Sequence, residues 1–111
     1  MSNITMEEYH YQLSILQKIQ QERRRQDAKW GEQNLPIKNP WYEYEELANE
    51  AKSICETCLE DGSISWHEIL QEEVAEVFAE DDPKKQAEEL IQVAAVCVSM
   101  IEFLKRSGQI E

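Results

Sequence analysis

With 111 residues, 23 acidic against 11 basic side chains and a formal charge of −12, the chain has room for one small domain, 1–111. It lacks the basic surface that nucleic-acid polymers and anionic membranes require. No apolar run approaches the ~20 residues of a membrane span. The opening Met-Ser-Asn-Ile-Thr-Met-Glu-Glu has no basic region followed by an apolar one, so no secretory leader is read there and the expected location is cytoplasmic.

Four helices and no strand are expected. The first spans about Met6–Lys29, opened by the capping box Thr5-x-x-Glu8. Met6, Tyr9, Leu13 and Leu16 form its apolar stripe, and it ends in the polar run Glu22-Arg23-Arg24-Arg25-Gln26-Asp27. A loop from Gly31 to Asn39 follows, long enough to be read as functional. The second helix is expected over Trp41–Glu60, with Asn39 as cap and Pro40 at its first position. It carries Cys55 and Cys58. With Cys97 these make an odd number, with no second Cys-x-x-Cys, and they read as reduced helical thiols.

The third helix is expected over Ser65–Glu80, with Ser65-x-x-Glu68 as a second capping box. The fourth is expected over Pro83–Arg106, after Asp82 as cap. Helix four is apolar around most of its circumference, from Leu90 through Val93, Val96 and Ile101 to Leu104, and must be covered on nearly all sides. Three other helices of so small a chain are too few, so a bundle-like core completed by a second subunit is expected.

The acidic couplets Glu72-Glu73-Val-Ala-Glu76 and Glu88-Glu89-Leu-Ile-Gln92 flank the Asp81-Asp82-Pro83 turn. Helices joined by a short loop are antiparallel neighbours, and residues three apart share a face. Glu73 and Glu76 therefore come opposite Glu89 and Gln92 at similar heights. At ~100° per residue, Glu73 falls within the arc of Trp66, Ile69, Leu70 and Val77, and Glu76 falls at its edge. Glu89 falls between Val96 and Met100, while Glu72 and Glu88 fall outside the apolar arcs. Trp66 reads as core. Carboxylates on an apolar face are costly unless paired or bound to a cation, and Mg²⁺ favours oxygen ligands. The plain alternative is a solvated acidic face.

Two further groups are candidates for contact with a phosphorylated substrate. Arg25 and Lys29 sit closest to the loop and could meet phosphates; the alternative is that they serve the dipole at the helix end. Trp30 and Trp41 bracket the loop, and an aromatic face can stack a base; the alternative is ordinary packing. There is no Ser/His/Asp or Cys/His set and no Gly-rich phosphate loop, so any chemistry falls to the carboxylates.

Glu73-x-x-Glu76, twelve residues, then Glu89-x-x-Gln92 resembles the Glu-x-x-Glu…Glu-x-x-Asp signature of the all-α nucleoside triphosphate pyrophosphohydrolases, in their small MazG-like branch. Three segments carry the likeness over residues 15–106: Glu22–Gln33, Ser65–Glu76 and Glu88–Val96. The resemblance implies a helical homodimer or homotetramer. It also implies Mg²⁺-dependent cleavage of a nucleotide between its α and β phosphates, with Mn²⁺ as a substitute ion. Glu73, Glu76, Glu89 and Gln92 would then be metal ligands, and Glu72 or Glu76 the proton acceptor. Arg25, Lys29, Trp30 and Trp41 would contact the substrate. Gln92 departs from the signature Asp and supplies one less negative charge. It motivates a second reading, a nucleotide- or metal-binding module without turnover. A structural helical dimerisation protein is the third.

Overall fold

The computed structural model describes residues 4–111. The start of the segment read against a secretory leader, Met1–Asn3, lies outside the described residues. Among the described residues the chain is all-helical: α1 is Met6–Trp30, α2 Tyr44–Asp61, α3 Trp66–Ala79 and α4 Pro83–Arg106. No helix among them is long and apolar enough to cross a membrane. Two compact units are present, one ending at Leu35 and the other Pro36–Glu111.

The first unit is α1. Its start is fixed as expected: the Thr5 Oγ1 accepts from the Glu8 N–H at 3.0 Å, and Glu8 accepts from the Thr5 N–H at 3.0 Å. Its last turns are laced by ion pairs, Arg23–Asp27 at 2.8 Å and Arg25–Glu22 at 2.7 Å. Pairs at this spacing are neighbours on the helix surface and support it weakly, because solvent screens them. The helix ends at Gly31, whose φ of 70° suits a residue without a Cβ.

The second unit stacks α2 on α3 and α3 on α4. The expected start of α2 needs correction. The helix begins at Tyr44, not Trp41, and its cap position is Glu43, with no side-chain cap bond. Asn39 does not cap it. Instead the Asn39 backbone N–H donates to the Tyr44 Oη at 3.0 Å, which holds residues 39–43 as an irregular approach to the helix. Asn39 is thereby tied to a ring five residues ahead, on the helix itself, and the neighbouring Lys38 to the last turn of α3.

At Ser65 the backbone N–H and hydroxyl both donate to the Glu68 carboxylate, at 3.0 and 2.7 Å. α3 and α4 are joined only by residues 80–82, and that connection is pinned from α4. The Gln86 side chain, buried, donates to the Glu80 carbonyl at 2.5 Å, and its backbone N–H donates to the Asp82 carbonyl at 2.8 Å. Pro83 holds the first position of α4, where its missing N–H costs nothing.

Val77 is the most deeply buried side chain of this unit, with Ala51 and Cys55 of α2 also buried. Trp66 is half-buried, its ring 6.4 Å from that of Phe103. The expected cover over α4 is incomplete: Leu90, Ile91 and Phe103 remain exposed.

Candidate metal centre

The α3–α4 hairpin brings three of the expected carboxylates together. One oxygen from each of Glu73, Glu76 and Glu89 lies within 4.8 Å of the other two. All three residues are half-buried. Two of their oxygens, Glu73 Oε2 and Glu89 Oε2, are buried and accept no hydrogen bond. A buried polar atom without a partner is costly, and a charged one more so.

The electrostatics follow from that crowding. The Glu73 carboxyl is pushed up from its ordinary value by burial first, then by the charges of Glu89 and Glu72. The Glu76 carboxyl is pushed up by burial and then by Glu73, Glu89 and Glu72. Neither shift has an attractive cause. Among the described residues no cationic side chain figures in either shift, and the hairpin presents a converging set of acceptors.

The fit to a hard divalent cation can be judged on those two orphaned oxygens. Ions of this type take oxygen ligands and would supply the partner that Glu73 Oε2 and Glu89 Oε2 lack. The donor set is all-oxygen and anionic, which suits Mg²⁺ or Mn²⁺ and not a thiolate-seeking metal. The residues present fit the group.

The remaining expected residues are placed variously. Gln92, one turn beyond Glu89, is exposed. Glu88 is exposed as expected, but Glu72 is half-buried and not outside the packed face. The reason is that α3 is covered on two sides, by α4 and by α2. Glu72 meets the Cys55 thiol of α2, which donates towards it. That contact, with burial second, pushes the thiol up to about 11. Glu72 also meets Glu76. Cys55 was not among the expected site residues. Its only sequence signal is its place four residues after Ala51, on the buried stripe of α2.

Arg25, Lys29 and Trp30 lie together on α1, where with Glu22 and Gln26 they line a concavity of about 230 Å³. Arg25 is held by Glu22, which raises the guanidinium pKa and lowers that of the carboxyl. The Lys29 ammonium lies 4.8 Å from the centre of the Trp30 ring. Trp41 belongs to the second unit and is 80% exposed.

No family model, no curated protein and no solved structure matches this chain.

Proposed function

We propose that the protein is a cytoplasmic Mg²⁺-dependent nucleotide pyrophosphohydrolase of the all-α MazG-like kind, converting (deoxy)nucleoside triphosphates to the monophosphate and pyrophosphate. The observation that carries the reading is the trio Glu73, Glu76 and Glu89, converging within 4.8 Å with two buried, unpartnered oxygens. The sequence signature that runs through the same residues supports it.

Glu73, Glu76 and Glu89 would hold the ion, with the Gln92 amide oxygen able to accept from a bound water. When bound, Mg²⁺ neutralises the phosphate chain and eases deprotonation of the attacking water. Glu72 stands beside the trio and takes the proton from that water as the bond between the α and β phosphates breaks. Glu76 is the alternative acceptor. Trp41, in the unit that bears the trio, would stack the base; Arg25, Lys29 and Trp30 are substrate contacts by the resemblance alone. The exposed Leu90, Ile91 and Phe103 of α4 support a homodimer or homotetramer in which a second copy covers that helix.

The test is product analysis on a nucleotide panel with and without Mg²⁺, separating pyrophosphate from orthophosphate. Metal-dependent pyrophosphate release is expected, with Glu73→Gln and Glu89→Gln losing turnover while helix content persists. Unchanged turnover in both variants would falsify the site.

A second reading is favoured by one residue. Gln92 is neutral and exposed where the signature has an acid, which suits a module that binds nucleotide without turnover. Thermal stabilisation by nucleotide without product, and gain of turnover in Gln92→Asp, would select it.

A further inference from the structure

Residues 36–43 carry a set of contacts that the proposed chemistry does not use. The Lys38 ammonium donates to the Phe78 carbonyl and to Asp81 Oδ1, both at 2.7 Å. It also lies 5.2 Å from the centre of the Tyr44 ring. Phe78 is in the last turn of α3, where carbonyls lack intrahelical donors and the helix dipole favours a cation. Asp81 lies in the α3–α4 connection. Next to Lys38, the Asn39 N–H donates to Tyr44 Oη, and the Tyr44 ring lies 6.1 Å from that of Phe78.

The loop is thus fastened by Lys38 to the end of the hairpin that bears Glu76 and Glu89, and by Asn39 to Tyr44 at the start of α2. Its apolar side chains anchor it weakly. Ile37 and Trp41 are 57% and 80% exposed, and Tyr42 touches only the edge of Tyr44. The Lys38 side chain, by contrast, is 25% exposed, with charge-assisted bonds to two different segments. The Asp81 carboxylate is 88% exposed, so solvent screens that pair. The Phe78 carbonyl and the Tyr44 face do most of the ordering.

We propose that Lys38 is a positioning residue that fixes residues 36–43, and with them Trp41, in one place relative to the carboxylate hairpin. The inference rests on the reading of Trp41 as a base-stacking group in the proposed function. Without the tether the loop is ordered anew by each nucleotide, and ordering costs subtract from affinity. Lys38 pairs with Asp81 and with none of Glu73, Glu76 and Glu89, so its loss weakens substrate binding and spares the chemical step.

Lys38→Met removes the charge and keeps the stem, and Lys38→Arg keeps the charge. In the full chain, Lys38→Met is expected to raise KM about tenfold, the size of one lost charged hydrogen bond. The kcat and the affinity for Mn²⁺ alone should stay within about twofold, and Lys38→Arg should restore most of KM. A Lys38→Met protein with wild-type KM overturns the inference. So does a proportionate loss of kcat and Mn²⁺ affinity at unchanged KM, which would make Lys38 a cap of α3 and nothing more.

A readout without substrate separates this inference from the proposed function. In a Trp30→Phe/Trp66→Phe protein, the fluorescence anisotropy of Trp41 should fall in Lys38→Met and hold in Lys38→Arg. Unchanged anisotropy overturns the inference whatever the activity. Absence of turnover in the wild-type protein overturns the proposed function instead, and the anisotropy then decides the tether by itself.

Discussion

Replacing Glu73 by Gln should move stability and metal binding in opposite directions. Two unit charges 4.8 Å apart repel by about 1 kcal/mol in water-like screening and ~3.5 kcal/mol at an effective dielectric constant of ~20. Glu73→Gln removes its repulsion with both Glu76 and Glu89. The residues are half-buried and solvent still screens them, so the gain stays below that upper figure, and the metal-free protein should gain about 1–2 kcal/mol. For a domain of this size that raises Tm by about 5–10 °C. The new amide can also donate to the orphaned Glu89 Oε2, which acts in the same direction. Saturating Mg²⁺ reverses the order. An ion at a hundred times its Kd would stabilise the wild type by about 2.7 kcal/mol, whereas the variant lacks one of the proposed ligands. The assay is thermal unfolding of both proteins at low salt and neutral pH, in EDTA and across a Mg²⁺ titration. A metal-free variant that melts at or below the wild type, or equal Mg²⁺ shifts in the two proteins, would refute the reasoning.

The pH dependence of the metal-free protein should be inverted above the ordinary carboxylate range. Glu73 and Glu76 have raised folded values, so the folded state binds more protons and stability falls as pH rises from about 4.5 towards neutrality. Glu68 and Asp61 are lowered by bonds from Ser65 and Ser63, and their contribution is lost as pH falls below about 4.5. In EDTA, Tm should therefore peak near pH 4.5, and a steady rise from pH 5 to 7 would contradict the assignment. Cys55, with its thiol pushed up to about 11, should react with a disulfide reagent at pH 8 about a hundredfold more slowly than a free thiol. In a Cys58→Ser/Cys97→Ser protein, Glu72→Gln should accelerate that reaction. Equal rates would show that Glu72 does not hold the thiol.

The helices were legible because their ends are written in local chemistry. Thr5 with Glu8, Ser65 with Glu68, and Asp82 followed by Pro83 each mark a start that depends on residues within one turn. The start of α2 was misread for the converse reason. Asn39-Pro40 has the local form of a cap, but Tyr44 takes the Asn39 N–H and Lys38 reaches the end of α3, and neither partner is adjacent in sequence. The carboxylate trio was legible through its spacing, since i and i+3 positions on two helices joined by a short turn have little freedom. Glu72 was not: its burial depends on α2 covering a second side of α3, which the periodicity of α3 alone does not reveal. Cys55 showed only its place on the buried stripe of α2, and Lys38 carried no pattern, because the partners of both are set by tertiary placement.

The connection of residues 80–82 has a consequence for the order of assembly. The stretch from Glu76 to Glu89 is short, so bringing its ends together carries a small loop-closure cost, and local contacts of this kind form early. The three carboxylates are thus brought together within one hairpin. Residues 36–43 fall outside the stretch that sets the spacing of the three carboxylates. Under the proposed function, cation affinity and the ordering of Trp41 would be written in separate stretches of this unit and free to diverge independently.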